Sequence, residues 1–285
     1  MNKIWNNLRV LAPFLLIGAI PFLFFSPARA QEVESENRWL DDYHAHVGLT
    51  YGAEAAVQST YLWRGLYVGA MNIQGSANVG YGGLYFDMWW NIGTADWSFT
   101  RFQPEVDLTL GFARWGLNAC VMFIHNFNCP FFDFTNHPDG GNGLEVKLRY
   151  TVSSKLPLSF LWATRIGASD GYLNSAGDTI RAYSSYAELS YTQPLPFGLS
   201  VYGAIGITPW RSFYTGYQRG FAVQNIEVRL RKDWDLSEHC GLQLQGVLSI
   251  NPSGIAADKT SVEWHPKNPG NQTINTNIAL GVYLK

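Results

Sequence analysis

The stretch Phe102-Gln103-Pro104-Glu105-Val106-Asp107-Leu108-Thr109-Leu110-Gly111-Phe112 decides the fold. Phe102, Pro104, Val106, Leu108, Leu110 and Phe112 share one parity, and Gln103, Glu105, Asp107 and Thr109 share the other. Wound into a helix, these acids would smear around the axis; in an extended chain they all face one side. The same division recurs in Leu144, Val146, Leu148, Tyr150 and Val152 against Glu145, Lys147, Arg149 and Thr151. At the far end, Ile278, Leu280, Val282 and Leu284 alternate with Asn277, Ala279, Gly281 and Tyr283.

Outward from these segments, alternation broken by Gly, Pro, Asn and Asp clusters predicts strands near 53–64, 72–81, 84–93, 101–113, 115–126, 142–152, 158–169, 181–192, 199–209, 222–232, 241–251 and 273–285. Most have the roughly 9–11 residues of a tilted bilayer-crossing strand. Their connections alternate in length. Gly82-Gly83, 113–115, 153–157, 193–198 and 233–240 are short, whereas 126–141, 170–180, 209–220 and 252–272 are long. Aromatic residues gather near strand ends, with Tyr81, Phe112, Trp115, Tyr150, Tyr191 and Trp234 by the short turns and Tyr61, Trp63, Trp90 and Phe102 by the long loops. The expectation is an all-β, transmembrane, antiparallel up-and-down barrel of about twelve strands over residues 49–285, with short periplasmic turns, longer extracellular loops and both termini periplasmic. A soluble sandwich would also alternate, but it has no reason to segregate its loops by length or to place aromatic girdles.

Composition agrees. Of 285 residues, 47% are hydrophobic but only 15% are charged, which excludes a disordered chain. Twenty basic residues against 22 acidic ones leave no electrostatic footprint for nucleic acid. Lys3 and Arg9, an apolar run from Val10 to Phe25 and Ala28-Arg29-Ala30 read as a secretory signal over 1–30, cleaved before Gln31, for a Gram-negative outer membrane. Residues 31–48, carrying Glu32, Glu34, Glu36, Asp41 and Asp42, show no period and read as a mobile periplasmic segment. Cys120, Cys129 and Cys240 are an odd number, and a Cys120–Cys129 pair stays open.

If the apolar parity faces lipid, the other lines the interior. Arg64, Asp87, Glu105, Asp107, Lys147, Arg149, Arg165, Arg229 and Arg231 are the candidates for a lumen or constriction, because charge facing hydrocarbon is costly. Acids on the third and fourth predicted strands and arginines on the tenth suggest a field across the lumen; pairing between neighbours, such as Glu145 with Lys147 or Arg149, is the blander alternative. An enzyme has thin support. His125 stands near a long loop on the lipid-facing parity, but Phe123-Ile124-His125-Asn126-Phe127 lacks the His-x-Ser-Asn-Gly pattern of outer-membrane phospholipase A. The segment Asp41-Asp42-Tyr43-His44-Ala45-His46 holds metal-ligating residue types without a scaffold to fix them. Neither a catalytic site nor a cofactor or metal is expected.

Ser59-Thr60-Tyr61-Leu62-Trp63-Arg64-Gly65, Gln74-Gly75, Gly83-Leu84-Tyr85-Phe86-Asp87-Met88-Trp89 and Glu105-Val106-Asp107-Leu108 together resemble the TorF family of porins. The resemblance covers about residues 55–112 and implies an outer-membrane location and a channel role. Arg64, held by Glu105 and Asp107, would then anchor the first loop or narrow the bore. The resulting expectation is a porin-like channel, bathed in outer-membrane lipid, for passive diffusion of small polar or charged solutes. The alternatives are a plugged barrel that binds a partner through loops rich in Phe131, Phe132, Phe134 and Trp210, and a lipid hydrolase using His125.

Overall fold

The computed structural model describes residues 48–94, 97, 102–136, 141–217, 220–253 and 274–284. The expected signal segment 1–30, the periplasmic segment up to residue 47 and the residues 41–46 cluster lie outside them.

The described strands are β1 (Leu49–Gln58), β2 (Tyr61–Trp63), β3 (Leu66–Gly69), β4 (Asn72–Tyr81), β5 (Leu84–Gly93), β6 (Glu105–Arg114), β7 (Leu117–His125), β8 (Gly143–Thr151), β9 (Leu158–Ala168), β10 (Gly171–Leu173), β11 (Thr179–Arg181), β12 (Ser185–Leu195), β13 (Leu199–Thr208), β14 (Ala222–Asp235), β15 (Cys240–Ile250) and β16 (Ile274–Leu284). Twelve of them close into an antiparallel barrel in the order β1-β4-β5-β6-β7-β8-β9-β12-β13-β14-β15-β16, and β16 pairs back onto β1. The pairs β2-β3 and β10-β11 are separate two-stranded hairpins inserted between wall strands.

Short turns collect on one rim. Gly82-Gly83 and Trp115-Gly116 each join two wall strands with both residues at positive φ, the mirror-image turn whose twist matches the flanking strands. Tyr81, Trp115, Tyr150, Tyr191 and Trp234 stand exposed on this rim, as the girdle pattern anticipates. Long connections leave from the other rim. There the expectation fails at its first strand: β1 ends at Gln58, and Tyr61 and Trp63 turn inward as part of the β2-β3 hairpin. The eighth wall strand likewise starts at Ser185 and not near 181, because Thr179–Arg181 pairs with Gly171–Leu173 inside its own loop.

The barrel is inside-out relative to a water-soluble domain. Along β16, Ile274, Thr276, Ile278, Leu280 and Val282 are exposed, whereas Asn275, Asn277, Ala279, Gly281 and Tyr283 are buried. Leu110, Val121, Leu148, Leu189, Ile205 and Leu230 cover the outer wall elsewhere, while Asp87, Asp107, Glu145, Arg149, Arg165 and Glu188 are buried within it. Cys120, Cys129 and Cys240 are free thiols.

The turn geometry makes a prediction. A Cβ on Gly82 would meet open space, so Gly82→Ala should cost only the left-handed backbone penalty, about 1 kcal/mol. Gly82→Asn should cost less, and Gly83→Val more, because a Cβ there lies 3.0 Å from the Ala113 carbonyl oxygen. Urea unfolding of the three variants checks the order.

Candidate functional site

The hairpin β2-β3 leaves the wall between β1 and β4 and crosses the bore. Its turn is Arg64 (φ 49°) and Gly65 (φ 80°), again two left-handed residues. Tyr61 lies 5.6 Å, centroid to centroid, from Trp89 of β5, and its hydroxyl donates to the Glu105 carboxylate at 3.3 Å. The Ala70 amide donates to the Thr94 carbonyl at 2.8 Å and ties down the base. At the tip, the Arg64 guanidinium grips Glu145 of β8 with two parallel 2.8 Å hydrogen bonds, a fork that fixes orientation as well as distance. The same group donates to the Tyr214 hydroxyl and sits 5.0 Å from the Tyr186 ring of β12. In a ring of twelve strands, β9 and β12 lie opposite β1 and β4, so the hairpin spans the diameter. Gly65 rests against β14: a Cβ there would come within 2.1 Å of the Gln224 carbonyl oxygen.

A β-bulge helps place the acceptor. Leu144 pairs with Gly167 but Glu145 pairs with Arg165, so Ile166 is the extra residue beside the Arg64 partner. Bulges re-aim side chains in this way.

A second inward segment packs on the hairpin. Ser212 caps the short helix Phe213–Thr215 by accepting from the Tyr214 amide, and the Phe213 ring stacks on Trp63 at 5.8 Å with a 3° interplanar angle. The Arg165 guanidinium lies 5.1 Å from the centre of the same Phe213 ring. Ser184 joins the loops: its hydroxyl donates to Asp170 at 2.5 Å and accepts from the Phe213 amide at 2.9 Å, while the Asp170 amide donates to Asn136 at 3.1 Å. Burial pushes the Asp170 carboxyl up, against the opposing pull of Ser184.

Beneath the hairpin is a cavity of about 290 Å³, bounded by Tyr61, Trp63 and Arg64 and reaching toward the short turns as far as Tyr85, Asn118 and Arg149. Of the residues singled out from sequence, Arg64, Asp87, Asp107, Lys147, Arg149 and Arg229 line it. Glu105 stands above, with Tyr61, and Arg165 lies under Phe213. Arg231 is held 2.8 Å from Asp233 near the short-turn rim.

Three expectations change. Arg64 is bound by Glu145, not by Glu105 and Asp107, so the Glu145 carboxylate answers the hairpin tip. Arg229 carries its own carboxylate, Glu227, at 2.5 Å, and Arg231 carries Asp233, so β14 presents ion pairs to the lumen and not a bare positive wall. Finally, His125 is buried despite its outward parity. Its Nδ1 bonds the Asn142 amide oxygen at 2.7 Å, and Phe127 and Phe131 cover its ring at 4.2 and 5.0 Å. Asn142 also donates to the carbonyls of Pro130, Phe131 and Asp133, folding that loop back over the outer wall. His125 is thus an anchor for a loop, its Nδ1 held by Asn142. Glu145, Tyr186 and Tyr214 were not among the candidates. Gly65, which takes the left-handed turn at φ 80°, is the one local sign of the inner hairpin.

No family model matches the chain, and no curated protein matches it in sequence. Among solved structures it is similar to the NanC porin, at 11% identity and a TM-score of 0.46 over 83% of this chain and 100% of that one. It is also similar to an outer membrane channel from Pseudomonas putida F1, at 13% identity and a TM-score of 0.47 over 89% of this chain and 99% of that one.

Removing one partner of the buried Arg64–Glu145 pair strands the other charge. Arg64→Met or Glu145→Gln should each destabilise the fold by about 3–5 kcal/mol, and the double variant should recover much of that loss. A double-mutant cycle by urea unfolding measures it.

Proposed function

We propose that this chain is an outer-membrane channel for passive diffusion of small polar solutes, with the β2-β3 hairpin as its constriction. The supporting observation is the inversion of the barrel, apolar outside and charged inside around a cavity. A closed barrel satisfies every wall hydrogen bond without an edge, which a bilayer demands. In this reading the short-turn rim faces the periplasm, the long loops face outward, residues 1–30 are cleaved as a signal, and the motifs shared with TorF porins mark a common hairpin and wall. Arg64, Asp87, Glu105, Asp107, Lys147, Arg149, Arg165, Arg229 and Arg231 set the polarity of the path, and solutes move without chemistry or cofactor.

The hairpin favours a second reading, a plugged barrel, because it and Phe213–Thr215 occupy the long-loop half of the bore. Single-channel recording of the chain without residues 1–30, refolded into planar bilayers, separates the two. The channel reading expects small, salt-dependent steps that grow in Gly65→Val, whose side chain has no room against Gln224. Silence in the folded wild type with steps in Gly65→Val would establish a plug, and silence in both would overturn the channel.

The ion pairs on β14 give selectivity a definite sign. Arg229→Ser leaves the Glu227 carboxylate without its 2.5 Å partner, so reversal potentials in a salt gradient should shift toward cation preference.

A further inference from the structure

The cavity beneath the hairpin offers charge of both signs from nearby walls. Asp87 and Asp107 come from the adjacent strands β5 and β6; Lys147 and Arg149 come from β8, one strand beyond β7. Neighbouring strands are about 4.8 Å apart, so β6 and β8 stand roughly 10 Å apart across the wall, and because the Asp107 row meets β8 at Gly143, Lys147 and Arg149 lie four and six residues nearer the short turns. Ser76, Trp89 and Asp107 lie in one register row across β4, β5 and β6, all facing the cavity.

Two atoms of that row point to a ligand. Asp107 is 9% exposed and Ser76 is 5% exposed, yet Asp107 Oδ1 and Ser76 Oγ have no hydrogen-bond partner. Buried polar atoms are normally satisfied, so the Asp107 oxygen awaits a donor and the Ser76 hydroxyl, which can accept or donate, awaits a partner. The indole of Trp89 stands between them in the row and lines the same cavity, and an aromatic ring attracts cations. An ammonium group meets all three demands. On the other side, Lys147 and Arg149 would repel a simple cation and suit a carboxylate. Mixed polar and aromatic lining and a volume near 290 Å³ place the cavity at the lower end of the roughly 300–1,000 Å³ of small-molecule sites.

We propose that this cavity binds a small zwitterion, its primary ammonium at Ser76, Trp89 and Asp107 and its carboxylate at Lys147 and Arg149. The lateral and axial offset of Lys147 and Arg149 from the Asp107 row suits an ammonium and a carboxylate separated by several bonds, as in an ω-amino acid or a dipeptide, better than the close pair of an α-amino acid. As a step on a diffusion path, the site rests on the channel reading above; as a binding site it stands on the cavity alone.

Calorimetry on the folded protein in detergent, with γ-aminobutyrate, butyrate, butylamine and erythritol as probes, tests the site. γ-Aminobutyrate should bind at least tenfold more tightly than either one-ended analogue. Asp107→Asn, which keeps the side-chain shape, should lose at least tenfold in γ-aminobutyrate affinity while leaving butyrate affinity little changed. No binding of γ-aminobutyrate, or equal binding of butyrate, butylamine or erythritol by the wild type, overturns the proposal. Planar-bilayer recording decides the channel separately: binding without conductance overturns the channel reading and keeps the site, whereas conductance without binding overturns the site and keeps the channel.

Discussion

A strand whose side chains alternate between an apolar surround and an enclosed bore has only one place to put a charge. Everything else in this molecule follows from that restriction. With Leu, Ile, Val and Phe committed to the outer wall, the Asp, Glu, Lys and Arg residues of the wall are forced together inside, where each must find a counter-charge or a hydrogen bond. The interior answers in three ways: pairs along one strand, as Glu227 with Arg229; tyrosines on carboxylates, as Tyr186 and Tyr202 on Glu188; and an imported partner, as Arg64 on Glu145.

The third answer shapes the bore. Glu145 is fully buried, and a carboxylate at that depth persists as an ion only beside a cation. The cation comes from a loop that must cross the barrel to deliver it. Electrostatic need on β8 therefore holds a hairpin that begins between β1 and β4, and aromatic packing of Trp63 on Phe213 secures it from the side. The three long loops joined through Ser184, Asp170 and Asn136 make that packing part of a continuous cap.

The wall was legible in the sequence wherever alternation ran cleanly between turn residues. β4 and β5 fall at 72–81 and 84–93 as read, because Gly82-Gly83 punctuates two unbroken periods. Misreadings arose where a period continued past the wall: Tyr61-Leu62-Trp63 keeps the alternation of β1 but belongs to the inner hairpin. The site was half legible. Parity put Asp87, Asp107, Lys147, Arg149 and Arg229 inside, and all five line one cavity. Partner choice was not legible, because Arg64 and Glu145 are 81 residues apart and only closure brings them together. His125 shows the opposite limit, since parity assigned its direction correctly while the loop that covers it carries no period to read.

The closing seam has its own consequence. Among the described residues, β1 meets β16 over five pairs, from Glu54 with Tyr283 to Gln58 with Ala279, whereas β15 and β16 share eleven. The shortest ladder in the wall thus joins residues more than two hundred positions apart, so it gains least from contacts while ordering the longest stretch of chain. The strand that makes this joint is also the one that leads directly into the hairpin. Sealing the cylinder and narrowing its bore are tasks of a single continuous segment.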